Sequence, residues 1–99
     1  MIRVGRAARV VGNLKSNRNL YLEGNVELDG AVVSSEQLFI GDHCRIRGPV
    51  LAEREITVSS GTRLGSRALP TTVSATRIHV APGVVAHGTV WAKEEGWVG

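Results

Sequence analysis

Residues 20–55 read LYLEGNVELDGAVVSSEQLFIGDHCRIRGPVLAERE, and this stretch is two consecutive copies of one 18-residue unit. Apolar or small residues recur at the same places in both copies. The aligned pairs are Leu20/Leu38, Leu22/Ile40, Val26/Cys44, Leu28/Ile46, Gly30/Gly48 and Val32/Val50. A repeat of this length is typical of a solenoid, in which each unit buries its apolar side only against its neighbours.

The same spacing extends in both directions along the chain. Upstream it selects Ile2, Val4, Ala8, Val10, Gly12 and Leu14, and downstream Ile56, Val58, Thr62, Leu64 and Ser66. Four extra residues at 67–70 then interrupt the repeat, and we interpret them as a loop inserted at one corner. After this loop the repeat continues with Ile78, Val80, Val84, Ala86, Gly88 and Val90. The sequence therefore predicts five coils, 2–19, 20–37, 38–55, 56–77 and 78–95, with 96–99 as the stub of a sixth.

Each coil contains short stretches in which the inward positions lie two apart, the period of a β-strand. Turn-forming residues such as Gly24-Asn25 and Pro82-Gly83 separate these stretches. Small residues recur where a corner must bend sharply, in the row Gly12, Gly30, Gly48, Ser66 and Gly88. We expect an all-β, single-domain, three-sided parallel β-helix.

Composition narrows the classes of function. The chain has 99 residues, a formal net charge of +3 and a single cysteine, Cys44, at an inward position. It contains neither an apolar run of about 18 residues nor a charged-then-apolar leader, so we expect no transmembrane helix or signal peptide and a cytoplasmic location. Its histidines, His43, His79 and His87, do not form a metal-binding pattern, and no catalytic, cofactor-binding or metal-ligating residue is predicted.

Charges alternate from coil to coil. Residues 2–19 carry five basic and no acidic side chains, whereas residues 20–37 carry four acidic and no basic ones. Stacking would place Arg9, Glu27 and Arg45 in one column, and Asp29 beside Arg47. Such opposite-charge neighbours help to fix register. They also make a nucleic-acid partner a weaker hypothesis than a stacked, self-supporting fold.

The ends of a β-helix present unpaired backbone groups and an open core, which are templates for pairing with another chain. No capping segment is evident in the sequence, so we expect end-to-end assembly with a second copy. The residues predicted to make that contact are Ile2, Val4, Val10, Leu14, Ile78, Val80, Val90 and Trp97. A second predicted contact is an outward apolar column that we call the lateral stripe, consisting of Val33, Leu51, Val73 and Trp91.

The repeated phrases give the chain a resemblance to the bactofilins, a polymer-forming bacterial cytoskeletal family. They are GNL at 12–14, GAV at 30–32, GPV at 48–50, AEREITV at 52–58, SATRIHV at 74–80 and GTV at 88–90. The resemblance implies a right-handed β-helix that forms filaments without nucleotide, with roles in cell shape or envelope organisation. It also implies envelope or cell-wall proteins as partners, and a position at the inner face of the membrane.

Two alternatives stay open. One is a small β-helix that does not polymerise and binds a partner through the lateral stripe. The other is a left-handed hexapeptide-repeat enzyme, such as an acyltransferase or a γ-class carbonic anhydrase. That pattern requires an aliphatic residue followed by a small one in each hexad, and Leu28-Asp29 and Ile46-Arg47 depart from it.

Overall fold

The computed structural model describes residues 1–98, and their side chains as far as Lys93. All regular structure in this part of the chain is β-strand. The strands are β1 (Ile2–Val4), β2 (Arg9–Val11), β3 (Leu14–Ser16), β4 (Leu20–Leu22), β5 (Glu27–Asp29), β6 (Val32–Ser34), β7 (Gln37–Ile40), β8 (Arg45–Ile46), β9 (Val50–Ala52), β10 (Glu55–Val58), β11 (Arg63–Leu64), β12 (Thr71–Val80), β13 (Val85–Ala86) and β14 (Gly88–Val98). Within residues 1–98 there is no helix that could cross a membrane.

The strands stack in parallel on three faces. Face A contains β1, β4, β7, β10, the end of β12 and the end of β14; face B contains β2, β5, β8, β11 and β13; face C contains β3, β6, β9 and the first parts of β12 and β14. Because β12 and β14 run around the corner between faces C and A, these two faces form one sheet. The predicted all-β parallel β-solenoid of about five coils is confirmed.

The predicted register is also observed along the central coils. Leu20 pairs with Leu38, and Leu38 with Ile56, each one repeat further along the chain. Ile56 then pairs with Ile78, 22 residues on, because the loop between β11 and β12 takes up the extra length at a corner. The inserted loop therefore leaves the stacking intact.

The core is a set of aliphatic columns along the axis. Its buried apolar members are Leu20, Leu22, Val26, Leu28, Val32, Leu38, Ile40, Cys44, Ile46, Val50, Ala52, Ile56, Val58, Leu64, Val73, Ala75 and Ile78. Most are contributed by the middle coils, since a layer between two others is covered on both sides. The outer layers supply only partly buried side chains that pack against this core.

The structure corrects the predicted register at β12. Val73 was expected to face outwards, but it pairs with Val50 and is 1% exposed, while Thr72 is exposed. On face A the offset is 22 residues, from Glu55 to Arg77, yet on face C it is 23, from Val50 to Val73. The corner between faces C and A is one residue shorter in this coil than in the preceding one, which restores the register on face A. A single four-residue shift of the repeat, as expected from the sequence, does not reproduce this change.

The row of small residues is corrected at one position. Thr71, rather than Ser66, continues the row from Gly48 to Gly88: a Cβ on either glycine would meet Thr71, and Thr71 pairs with Gly88. Ser66 is exposed at the base of the inserted loop, where its N–H donates to Leu69 O at 3.0 Å. The corner therefore accommodates one larger side chain between two glycines.

Candidate functional site

The first layer of the solenoid is open on its outer side. Within residues 1–98, β1, β2 and β3 each pair with one neighbouring strand only, which lies in the second coil. Four of the predicted end-contact residues, Ile2, Val4, Val10 and Leu14, point towards the core here and are only partly buried. Their remaining exposed surface is what a further layer would cover.

The last layer is open on faces B and C. Val90 stands in the same column as Val73, which is 1% exposed, yet Val90 itself is 49% exposed. Ala86, which continues the column of Ile46 and Leu64, is likewise exposed. In the part of the chain that the structure describes, nothing lies beyond these side chains, so the apolar columns end at the surface.

Two predicted end-contact residues do not lie at an edge. On face A, β14 adds a strand beyond β12, so that Ile78 pairs with Gly96 and Val80 with Val98. Ile78 is 1% exposed and Val80 is half-buried. The expectation that these residues form the outer contact was therefore wrong for face A. The side chain of Trp97, the remaining predicted contact, lies outside the described residues.

Ion pairs tie the basic first coil to acidic residues of the second and third coils. Arg3 lies 3.9 Å from Glu23, Arg6 3.4 Å from Asp42, and Arg9 3.9 Å from Glu27. The hydrogen bond from the adjacent His43 ring, with help from Arg6, holds the pKa of Asp42 below its ordinary value. These pairs are exposed, so they guide register more than they add stability.

An aromatic column runs along the outside of face A. The Tyr21 and Phe39 rings stack with centroids 4.8 Å apart and planes within 4° of parallel, and the Arg3 guanidinium lies 5.5 Å from the Tyr21 ring centre. Thr57 and His79 continue the column in register. Rings at equivalent positions of successive coils stack in this way because the strands are in register. The fold therefore accounts for this column without a binding role.

The lateral stripe is interrupted. Val33 and Leu51 are half-buried neighbours on face C, but the next outward position is Ser74, because Val73 points inwards. Trp91 follows Ser74 in register and is 65% exposed. Among the described side chains, the last layer thus presents Trp91 as a single exposed aromatic residue rather than as part of a continuous apolar band.

The groups capable of chemistry are dispersed. Among the described side chains, no three His, Cys, Asp or Glu groups converge as metal ligands would. Cys44 is fully buried, and its thiol donates to Glu23 O at 3.2 Å. Burial raises the pKa of the Cys44 thiol, which lowers the fraction of reactive thiolate.

Sequence reasoning missed one surface feature, the neighbouring arginines Arg45 and Arg63 on face B. Their 18-residue separation, which is the repeat length itself, was the available signal.

Comparison with protein-family models, with curated proteins and with solved structures finds no match to this chain.

Proposed function

We propose that this chain is a structural, polymer-forming protein that self-associates through the open ends of its solenoid. The observation that carries the proposal is Val90: it occupies a core column, directly beyond buried Val73, and is half exposed. The last side chain of this core column is apolar and exposed. A further layer of the same kind would bury it. A second copy of the chain supplies such a layer.

The physical basis is the same as that of stacking within the chain. Docking of one end on another pairs the free strand edges and covers the partly buried side chains Ile2, Val4, Val10 and Leu14. A head-to-tail contact uses two different surfaces, does not close on itself and so produces filaments. Apolar burial and backbone pairing drive this association, so it needs no nucleotide.

The resemblance to bactofilins supports the same function and extends it to the cell. On this proposal the filaments serve as a cytoskeletal scaffold in the cytoplasm, at the inner face of the membrane, and organise the cell shape or envelope. Envelope or cell-wall proteins are then the partners that the scaffold positions.

The test is the assembly state of the purified chain, followed by sedimentation velocity and negative-stain electron microscopy. We expect fibres of uniform narrow width, which Val90→Arg abolishes because it places a charge in the uncovered column. Thr72→Arg is the matched control, since Thr72 is exposed but β14 already pairs beyond it at Thr89. A sharp monomer boundary at high concentration, or fibres that persist in folded Val90→Arg, would contradict the proposal.

A second candidate function is suggested by Trp91. A tryptophan that is 65% exposed on a flat sheet is a typical anchor for a protein partner. On this alternative the chain is a non-polymerising interaction module. Trp91→Ala would then leave a monomer unchanged and remove partner binding, whereas on the polymer proposal fibres form irrespective of any partner.

A further inference from the structure

The outward column on face B breaks its own charge pattern. Arg9, Glu27, Arg45 and Arg63 occupy successive positions of this column, in register. The first three alternate in sign, but Arg45 and Arg63 are neighbours of the same sign. Like charges directly opposite each other on adjacent strands destabilise a sheet. The stacking therefore gives no reason for this pair.

The nearby carboxylates are engaged by other arginines. Glu27 Oε2 lies 3.9 Å from Arg9 Nε, and Asp29 Oδ1 lies 3.0 Å from Arg47 Nη1. Within the described side chains, neither Arg45 nor Arg63 takes part in an ion pair. Two exposed arginines thus occupy neighbouring register positions, and no carboxylate among the described side chains forms an ion pair with either of them.

Both arginines line an open groove of about 420 Å³ on face B. The groove is also lined by the buried side chains Leu28 and Ile46 and by Ser66 and His87, next to the inserted loop. Glu27 and Asp29 line it as well, on the side of the first coil. The same two arginines also border a cavity of about 450 Å³ at the adjoining corner, where His43 lies. The guanidinium groups therefore stand between two recesses that are large enough for a small ligand.

The groups in this groove fit a phosphate. Arginine presents a planar array of N–H donors that binds phosphate oxygens in bidentate fashion. Neighbouring strands lie about 4.8 Å apart, a spacing that lets two guanidinium groups approach one tetrahedral anion from both sides. The Ser66 hydroxyl, which also lines the groove, is an additional donor.

We propose that Arg45 and Arg63 bind the phosphate group of a phosphate-bearing small molecule or lipid head group. The site takes a single phosphate group rather than a continuous polyanion, because Glu27 and Asp29 continue the same face towards the first coil and would repel further phosphates. The site lies on a side of the solenoid, so it is independent of assembly through the ends.

The experiment titrates the full chain with inorganic phosphate at constant ionic strength, followed by calorimetry and by the arginine Nε–H signals in NMR spectra. We expect saturable binding at one site that shifts the Arg45 and Arg63 signals. Arg45→Gln and Arg63→Gln should each weaken binding by about tenfold, as expected for loss of one charge-assisted contact. Arg54→Gln is the matched control, because Arg54 is exposed, carries the same charge and lies outside the groove.

A second arm distinguishes the source of the phosphate. Phosphatidylcholine vesicles with and without phosphatidic acid are sedimented with the same variants. Binding of free phosphate, or binding only to phosphatidic acid vesicles, supports the site if Arg45→Gln and Arg63→Gln each weaken it and Arg54→Gln does not. Failure of both probes to bind, or an equal loss in Arg54→Gln, would overturn the proposal.

Discussion

At the scale of the residue, Thr62 shows how a polar side chain is tolerated in an apolar column. It is fully buried next to Cys44, one coil further along the chain, yet its hydroxyl donates to Gly41 O at 2.7 Å and accepts from the Cys44 N–H at 3.1 Å. Both bonds satisfy backbone groups at a corner, where the strand pairing is interrupted. A buried hydroxyl with its bonds made avoids the penalty of an unpaired polar group.

The register of β12 can be tested with two adjacent residues. Val73→Asp should destabilise the fold by about 3 kcal/mol or more, because it buries a carboxylate with no partner. Thr72→Asp should change the free energy of unfolding by less than about 0.5 kcal/mol, because that side chain is exposed. Urea denaturation of both variants measures the difference, and a larger loss in Thr72→Asp would show that the strand has the opposite register.

The one-residue error at this strand has a physical origin. Thr72 and Val73 are both β-branched, so either fits an inward position on a strand. The sequence shows that extra residues are inserted at 67–70, but it does not show that the next corner is one residue shorter than in the preceding coil. Only closure of the coil against Val50 and Glu55 decides this.

At the scale of the element, the corners decide which residues the solenoid accepts. A Cβ on Gly30 would collide with the backbone carbonyl of Gly12 in the preceding coil, whereas a Cβ on Gly5 meets nothing within 4 Å. Neither glycine has a left-handed φ, so the two positions differ in the space around them. Close approach of successive coils, rather than backbone conformation, requires glycine at position 30.

We therefore expect Gly30→Ala to destabilise the chain by about 1–3 kcal/mol, the usual range for a methyl group forced into a packed site. Gly5→Ala is the control and should be neutral or slightly stabilising, since alanine restricts the unfolded chain. Thermal unfolding of the two variants provides the comparison. Equal melting temperatures would mean that the corner relaxes more easily than its contacts indicate.

The strands of coils two to four were predictable because their spacing repeats without interruption from residue 20 to residue 58. The ends were predictable only in part. The order of the coils identifies Val4 and Val90 as members of outer layers, and the predicted stub 96–99 already implies that Gly96 lies over Ile78. The assignment of Ile78 and Val80 to the outer contact did not take this stub into account. The groove at Arg45 and Arg63 needed the cavity walls at Ser66 and His87, which residue spacing does not supply.

At the scale of the whole molecule, the charge distribution favours one polarity of the proposed assembly. The first coil carries five basic residues, and within the described side chains Lys15 and Arg18 have no ion pair. Two first coils brought together would repel, so we expect a first coil to dock on a last one. This contact joins different surfaces and can continue indefinitely.

The polarity can be measured with two blocked variants. Val4→Arg should block the first end and Val90→Arg the last, so each alone should remain monomeric in sedimentation velocity. Mixed together, they should form a heterodimer through the intact end of each. If like ends met instead, each variant alone would dimerise and mixing would add nothing.

The inserted loop at 67–70 separates two quantities that are usually linked in a solenoid, contour length and height. The coil that contains it is longer than its neighbours, but it still adds one strand to each face. Leu69 projects into solvent, 52% exposed, and the loop is closed at its base by mutual hydrogen bonds between Ser66 and Leu69. A fluorescent tag grafted at this corner would therefore extend sideways and label the flank of the proposed fibre, away from the ends at which it would grow.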